Sequence, residues 1–289
     1  MRSLLFLPST RLDRVERAHS SGADFIVLDL EDSLLPEARA QARTQLDALA
    51  ARAFDGLGSK LYLRINSLDS RDGIFDLAAW LTWTHKPHGV MIPKVESPAQ
   101  IAWAQSLLGP SIAIIASLET PSAIANAPHM IADIKSAATQ SLAGFVLGSL
   151  DYGRMFALSD PDSRPPPACL QSARIAVATL AAGSRVAAID GAWPHIQDKE
   201  GLIRDVSQAR QAGLTAKLAI HPSQISAIHQ GFQPSADRIS WAKRLLAHAK
   251  GEDAGAFMFE GTMVDAPVLA RARSYASIDS IDDHETMKE

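Results

Sequence analysis

A single cysteine, Cys169, in 289 residues leaves no partner for a disulfide within the chain and no thiolate cluster for a metal. That scarcity suits a reducing compartment. No apolar run approaches the about 18 residues that a membrane-crossing helix requires, so no membrane partner is expected. No basic run stands out, and 28 Lys and Arg against 32 Asp and Glu leave a net charge of −4. Nucleic acid is therefore not an expected partner, although a locally cationic pocket could still take a small anion. An apolar segment begins within three residues of Met1, with no signal-peptide pattern, and the expected location is cytoplasmic. G-x-S-x-G, H-E-x-x-H and P-loop motifs are all missing, and no G-x-G-x-x-G follows the first apolar segment.

What the chain does have is eight short apolar segments. They are SLLFLP (3–8), FIVLDLED (25–32), LYLRIN (61–66), GVMIPK (89–94), IAIIASLE (112–119), GFVLGSLD (144–151), VAAIDG (186–191) and AKLAIH (216–221). Helical periodicity fills the intervals at 11–22, 36–54, 72–83, 97–109, 122–138, 168–183 and 198–213, and again at 239–250. Gly22, Gly183 and Gly213 stand where C-caps belong. Continuously apolar strands alternating with helices suit parallel strands covered on both faces. The expected fold is α/β, a (β/α)8 TIM barrel over residues 1–250 with a C-terminal extension over 251–289. An open doubly wound sheet is disfavoured, because polar residues end strands throughout the chain rather than at one switch point. The proline-rich stretch 159–167 is expected to be a surface loop at the barrel mouth, and the polar tail after about Ser277 to fray.

Barrel strands present their C-terminal ends to the site. Glu119 and Asp151 end the fifth and sixth segments, and two neighbouring carboxylates there suit Mg²⁺, which takes one or two carboxylates plus water and substrate oxygens. Helix capping is the competing role for each. In DLED, alternation sends Asp29 and Glu31 to one side and Asp32 to the other; buried, they need a cation or a hydrated metal. Arg64, flanked by apolar residues, can grip a ligand carboxylate or pair with one of those acids. Lys94, Asp190 and His221 are read as supporting residues, with Glu96 or an acid across the barrel as the Lys94 partner.

The combination RSLLFLP (2–8), GADFIVLDLEDSLLPEARAQAR (22–43), RIN (64–66), MIPKVESP (91–98), LETPSAIAN (118–126), GSLD (148–151), AIDG (188–191), AIHPSQI (219–225) and GAFMFEGTMVDAP (255–267) resembles the citrate lyase beta-subunit family. These are Mg²⁺-dependent acyl-CoA lyases of the HpcH/HpaI aldolase superfamily, and the likeness is greatest to its stand-alone citramalyl-CoA and malyl-CoA lyase members. The resemblance implies Glu119 and Asp151 as ligands of Mg²⁺, with Mn²⁺ as an alternative. It implies Arg64 and Glu31 as catalytic, with Asp29 and Asp32 completing the acidic strand that orients the site. It makes Asp265 an acid that reaches a neighbouring subunit's site in a homotrimer, and it sets the first β/α loop, near Arg11 and Arg14, against a coenzyme A thioester.

Several residues depart from the family pattern. Pro8-Ser9 replaces Pro-Gly, Tyr152-Gly153-Arg154-Met155 replaces a small apolar run, and Ser172 stands where an arginine is usual, with Arg174 close by. Glu119 and Asp151 stand 32 positions apart, a longer spacing than the family's, which points to an insertion near Lys135–Ser141. The expected activity is cleavage of a carbon–carbon bond in a 3-hydroxyacyl-CoA of the citramalyl, malyl or citryl type, giving a 2-oxo acid and acetyl-CoA. Thioester hydrolysis, action as a carrier-dependent citryl lyase subunit, and binding without turnover are the alternatives.

Overall fold

Eight strands alternate with helices, and each strand pairs in parallel with its sequence neighbours until β8 returns to β1. The structure is a computed structural model, and it describes residues 1–53, 60–136, 141–156, 164–250 and 255–286. The strands are β1 (Ser3–Pro8), β2 (Phe25–Asp29), β3 (Leu61–Arg64), β4 (Gly89–Ile92), β5 (Ala113–Leu118), β6 (Leu142–Leu147), β7 (Ala187–Asp190) and β8 (Ala216–Ala219). The expected closed barrel is what forms.

Period-two alternation divides each strand between two cores. Leu4, Val27, Tyr62, Met91, Ile115, Val146, Ile189 and Leu218 fill the barrel interior. Their neighbours in sequence, such as Leu5, Ile26, Leu63 and Ile114, belong to the larger core between strands and helices. That spacing also aims the polar strand ends. Two residues beyond Val27 is Asp29, two beyond Tyr62 is Arg64, and two and four beyond Ile115 are Ser117 and Glu119, so all four face inward at the same end of the barrel. Strand register sets Asp29 beside Arg64 and Arg64 beside Met91.

The helices of this unit are α1 (Val15–His19), α2 (Pro36–Ala53), α3 (Arg71–Thr82), α4 (Pro98–Leu108), α5 (Pro121–Ser136), α6 (Ser149–Arg154), α7 (Pro167–Ser184), α8 (Lys199–Gln211) and α9 (Ile225–Phe232). Local chemistry starts several of them. Ser70 accepts a hydrogen bond from the Gly73 N–H at the head of α3, and Ser97 with Gln100 forms a capping box on α4. Gly22 and Gly213 take positive φ after their helices, as their sequence positions predict. Gly183 does not. The α7 helix runs on to Ser184, and Arg185 adopts the left-handed cap with φ 60°. A Cβ at Gly183 would lie 2.8 Å from Ile131 Cδ1, so this glycine serves the close packing of α7 on α5. Two short helices, α6 and α9, were not expected. Residues 137–140, in the expected insertion, and 159–163 of the proline-rich stretch lie outside the described residues.

The chain divides into two compact units, Met1–Phe232 and Gln233–Glu289. In the second, α10 (Ala236–Ala249), the antiparallel hairpin β9 (Phe257–Phe259) with β10 (Thr262–Val264), and α11 (Ala266–Thr286) share a core of Ala242, Leu245, Val264 and Ala272. The Asp265 carboxylate accepts from the Val268 N–H at 3.3 Å, capping α11. That helix continues to Thr286, through the stretch expected to fray. Among the described residues no helix is long and apolar enough to cross a membrane.

Candidate active site

The inward polar residues line a cavity of about 560 Å³ at the C-terminal end of the barrel. Asp29, Asp32, Arg64, Glu119 and Asp151 all contribute to its wall, with Ser117 and Arg154. Five of the nine expected site residues thus meet at one cavity. Glu31 joins them through ion pairs. Arg11 and Arg14 lie in the loop between β1 and α1, outside the cavity's lining residues, where Arg11 is partly exposed and bonds Asp13 at 2.9 Å. Asp265 belongs to the second unit.

Arg64 organises the acidic strand. Its Nε and Nη2 donate to the two oxygens of Asp29 at 2.7 and 2.8 Å, a bidentate fork. Its Nη1 lies 3.1 Å from Glu31 Oε2 as an ion pair and donates to Asp32 Oδ2 at 3.2 Å. The guanidinium stacks 4.7 Å from the centre of the Phe6 ring. Asp29 also accepts from the Glu31 and Ser33 N–H groups, each at 3.0 Å. Burial would raise the Asp29 carboxyl, yet the Arg64 hydrogen bonds and charge hold it below the usual range. Three carboxylates, not one, therefore meet this arginine. Asp32 joins them because β2 ends at Asp29 and the chain turns at once, so strand alternation no longer sends it to the far side.

Lys94 pairs across the barrel rather than with Glu96. Its Nζ donates to Glu31 Oε1 at 2.5 Å, while Glu96 accepts from the Thr120 hydroxyl. Lys94 is a non-glycine residue with φ 54°, a conformation costing about 1–2 kcal/mol. Burial pushes the Glu31 carboxyl up, with Asp32 adding repulsion, and the charges of Arg64 and Lys94 oppose the rise.

Glu119 is the unpaired member. It is 3% exposed, and its Oε2 is buried without a hydrogen-bond partner. Burial, then the charges of Glu31 and Asp151, pushes its carboxyl up to about 7 against a pull from Ser117 and Lys94. A carboxylate so placed requires either a proton or a cation. Glycine makes this packing possible, since a Cβ on Gly148 would lie 2.2 Å from Glu119 Cγ. β6 ends at Leu147 and Gly148 is the N-cap of α6, so Asp151 stands in the first turn of that helix rather than at the strand end. There it pairs with Arg154. Among the described residues no three His, Cys, Asp or Glu side chains converge as a metal cage. Two carboxylates with room for water and substrate suit Mg²⁺, which seldom uses an all-protein cage. The orphaned Glu119 oxygen fits such an ion.

Sequence reasoning understated Lys94 and did not anticipate the Asp151–Arg154 ion pair. It also did not foresee a buried ionic cluster behind the cavity wall. Arg174 donates to both Asp190 oxygens at 3.0 and 2.8 Å and to Asp205 at 2.6 Å. Lys217 bonds Asp190, Asp205 and the Gly191 carbonyl, and Arg164 donates to Asp205 at 2.7 Å. Asp190 is thus a supporting residue. An unbroken apolar setting around Lys217 in AKLAIH was the available signal, since a strand lysine between core residues must find buried acids.

A closed parallel barrel with paired carboxylates and an arginine at its C-terminal rim defines a class of barrel lyases and aldolases. Residues 2–222 match the HpcH/HpaI aldolase/citrate lyase family, and the chain belongs to it. It is 33% identical to a citrate lyase subunit beta-like protein of Deinococcus radiodurans, over 96% of each chain. It is 28% identical to the mitochondrial citramalyl-CoA lyase of Mus musculus, over 96% of this chain and 85% of the mouse protein. Among solved structures it is similar to the protein CitE of Mycobacterium tuberculosis in complex with magnesium, acetoacetate and coenzyme A. That similarity has a TM-score of 0.74 and 28% identity, over 95% of this chain and 96% of the other.

Proposed function

We propose that this protein is a Mg²⁺-dependent lyase that cleaves a 3-hydroxyacyl-CoA bearing a 3-carboxylate into a 2-oxo acid and acetyl-CoA. The observation that carries the reading is the orphaned Glu119 oxygen, buried beside the cavity that Asp151 also lines. Glu119 and Asp151 would hold the ion. When bound, Mg²⁺ supplies Lewis-acid stabilisation of negative charge on oxygen.

The chain's own residues do the rest. Asp29 fixes the Arg64 guanidinium in one orientation, so that its remaining N–H meets charge on a substrate oxygen without reorganising. Glu31, held between Arg64 and Lys94, would help to order water where an ion is bound. Apolar walls from Phe6, Met91, Leu147 and Leu218 exclude bulk water while the enolate of acetyl-CoA forms. Asp265 of a neighbouring subunit in a homotrimer would carry the proton at the acetyl carbon, and Arg11 and Arg14 would meet the coenzyme A phosphates.

Incubation with Mg²⁺ and citramalyl-, malyl-, citryl- and methylmalyl-CoA, with the released oxo acid trapped, tests the reading. A lyase releases oxo acid and an acyl-CoA, and chelation stops it. Free coenzyme A and hydroxy acid without oxo acid would make the protein a thioesterase, and activity only on a carrier-bound acyl group would make it a carrier-dependent subunit. No turnover of any of these refutes the enzyme reading.

A further inference from the structure

Of the described residues that line the cavity, two carry positive charge, Arg64 and Arg154, and they are in opposite situations. Arg64 is 13% exposed, and its fork is committed to Asp29, with Glu31 and Asp32 on its third nitrogen. Arg154 is 59% exposed and meets Asp151 through one nitrogen, Nη2. Arg154 is also one of the residues that line the cavity, so the rest of its guanidinium stands at the cavity wall. A divalent ion on Glu119 and Asp151 draws on the very carboxylate that balances Arg154, and leaves that arginine without another opposing charge among the described residues that line the cavity.

The thioesters open to this site differ in one substituent on the hydroxyl-bearing carbon. It is hydrogen in malyl, methyl in citramalyl, and a carboxymethyl group in citryl. Hydrogen and methyl ask nothing of a cation. A carboxymethyl group brings a second carboxylate that must be paired when it leaves water. Met91, Leu147, Leu218 and Ile220 can meet a methyl group but not a charge. A cavity of about 560 Å³ has room for the larger acyl group.

We propose that Arg154 is a specificity-determining residue that binds a second carboxylate on the acyl group, so that the site selects substrates whose released oxo acid is dicarboxylic. This rests on the lyase reading above and narrows it to a substrate class.

Calorimetry with Mg²⁺ present and no thioester tests the idea apart from turnover. Oxaloacetate, with two carboxylates, is expected to bind 10- to 100-fold tighter than pyruvate, about the range of one charge-assisted hydrogen-bonded contact. Arg154→Met should bring that ratio close to one, and Arg154→Lys should retain part of it, because the charge survives and the fork does not. Circular dichroism of each variant establishes that it folds. An unchanged ratio in Arg154→Met overturns the proposal, as does equal binding of both acids by the unaltered protein. Loss of free coenzyme A binding with the acid ratio intact also overturns it, and assigns the arginine to a phosphate. If neither acid binds in the presence of Mg²⁺, the lyase reading and this inference fall together; if both bind equally, only the inference falls.

Discussion

Glu119 and Lys94 are two site residues whose local state runs against ordinary preference. The Glu119 carboxyl is pushed up to about 7, so in the ion-free protein the folded state holds a proton that the unfolded chain releases. The resulting stability is fully present below the unfolded value and disappears as pH rises through about 7. Ion-free protein should therefore melt at lower temperature at pH 8 than at pH 5.5, and Glu119→Gln should flatten that part of the profile. Mg²⁺ must displace the same proton, so its affinity should fall as pH drops below about 7, which calorimetry can follow. Glu119→Ala and Asp151→Ala should each abolish metal-dependent turnover, and full activity in either would remove the ion from that pair. Lys94 divides differently. Lys94→Ala keeps the left-handed backbone and leaves Glu31 short of a cation, whereas Lys94→Gly relieves the backbone as well. Urea titrations should find the glycine variant the more stable of the two by about 1 kcal/mol.

At the scale of elements, the site depends on how β7 and β8 are braced from behind. The Asp190, Asp205, Arg174 and Lys217 cluster is fully paired, and removing one partner leaves a buried charge alone. Lys217→Met should cost about 3–5 kcal/mol in urea unfolding. It should also disturb the cavity wall, because Lys217 holds the Gly191 carbonyl and Gly191 lines the cavity. Lys217, Arg174 and Arg164 hold the Asp205 carboxyl well below its ordinary range despite burial, and Arg64 does the same for Asp29. These depressed groups stabilise the fold above the unfolded value, and that contribution is lost as pH falls through the folded one. Acid should thus unfold the protein below about pH 4, opposite in sense to the Glu119 effect. Gly148→Ala should break the site without touching its chemistry. The new methyl would meet Glu119 Cγ, and the expected result is loss of Mg²⁺ binding with the fold retained by circular dichroism.

For the molecule as a whole, the question is whether one chain contains a complete site. Asp265 caps α11 in a unit separate from the barrel. If it serves a neighbour, two inactive variants should rescue each other. Asp265→Ala and Glu119→Ala proteins, mixed and reassembled in equal amounts, should regain about one quarter of the sites, because half of the chains supply an intact barrel and half of their neighbours supply Asp265. No recovery in a mixed oligomer confirmed by mass would assign the acid to its own chain or to no catalytic role.

Barrel class was legible in the sequence because it depends on local physics. Eight apolar runs of strand length, each followed by helical periodicity, cannot bury their faces except as a covered parallel sheet. The inward direction of Asp29, Arg64 and Glu119 followed from period-two alternation along their strands. Alternation failed at Asp32, where β2 had already ended, and at Asp151, which Gly148 moves into a helical turn. Partners were legible only in part: the sequence offered Arg64 one of the DLED acids, and Lys94 either Glu96 or an acid across the barrel, without choosing. Arg64 meeting three carboxylates, Lys94 crossing to Glu31, and Glu119 keeping one buried oxygen without a hydrogen-bond partner are outcomes of strand register and barrel closure, which bring together residues dozens of positions apart. Sequence alone determined which chemical groups reach the rim; only tertiary structure decided which charges are spent on one another, as with Arg154 on Asp151, and which, as with Glu119, keep a buried oxygen without a hydrogen-bond partner, because pairing depends on distances across strands that no spacing along the chain encodes.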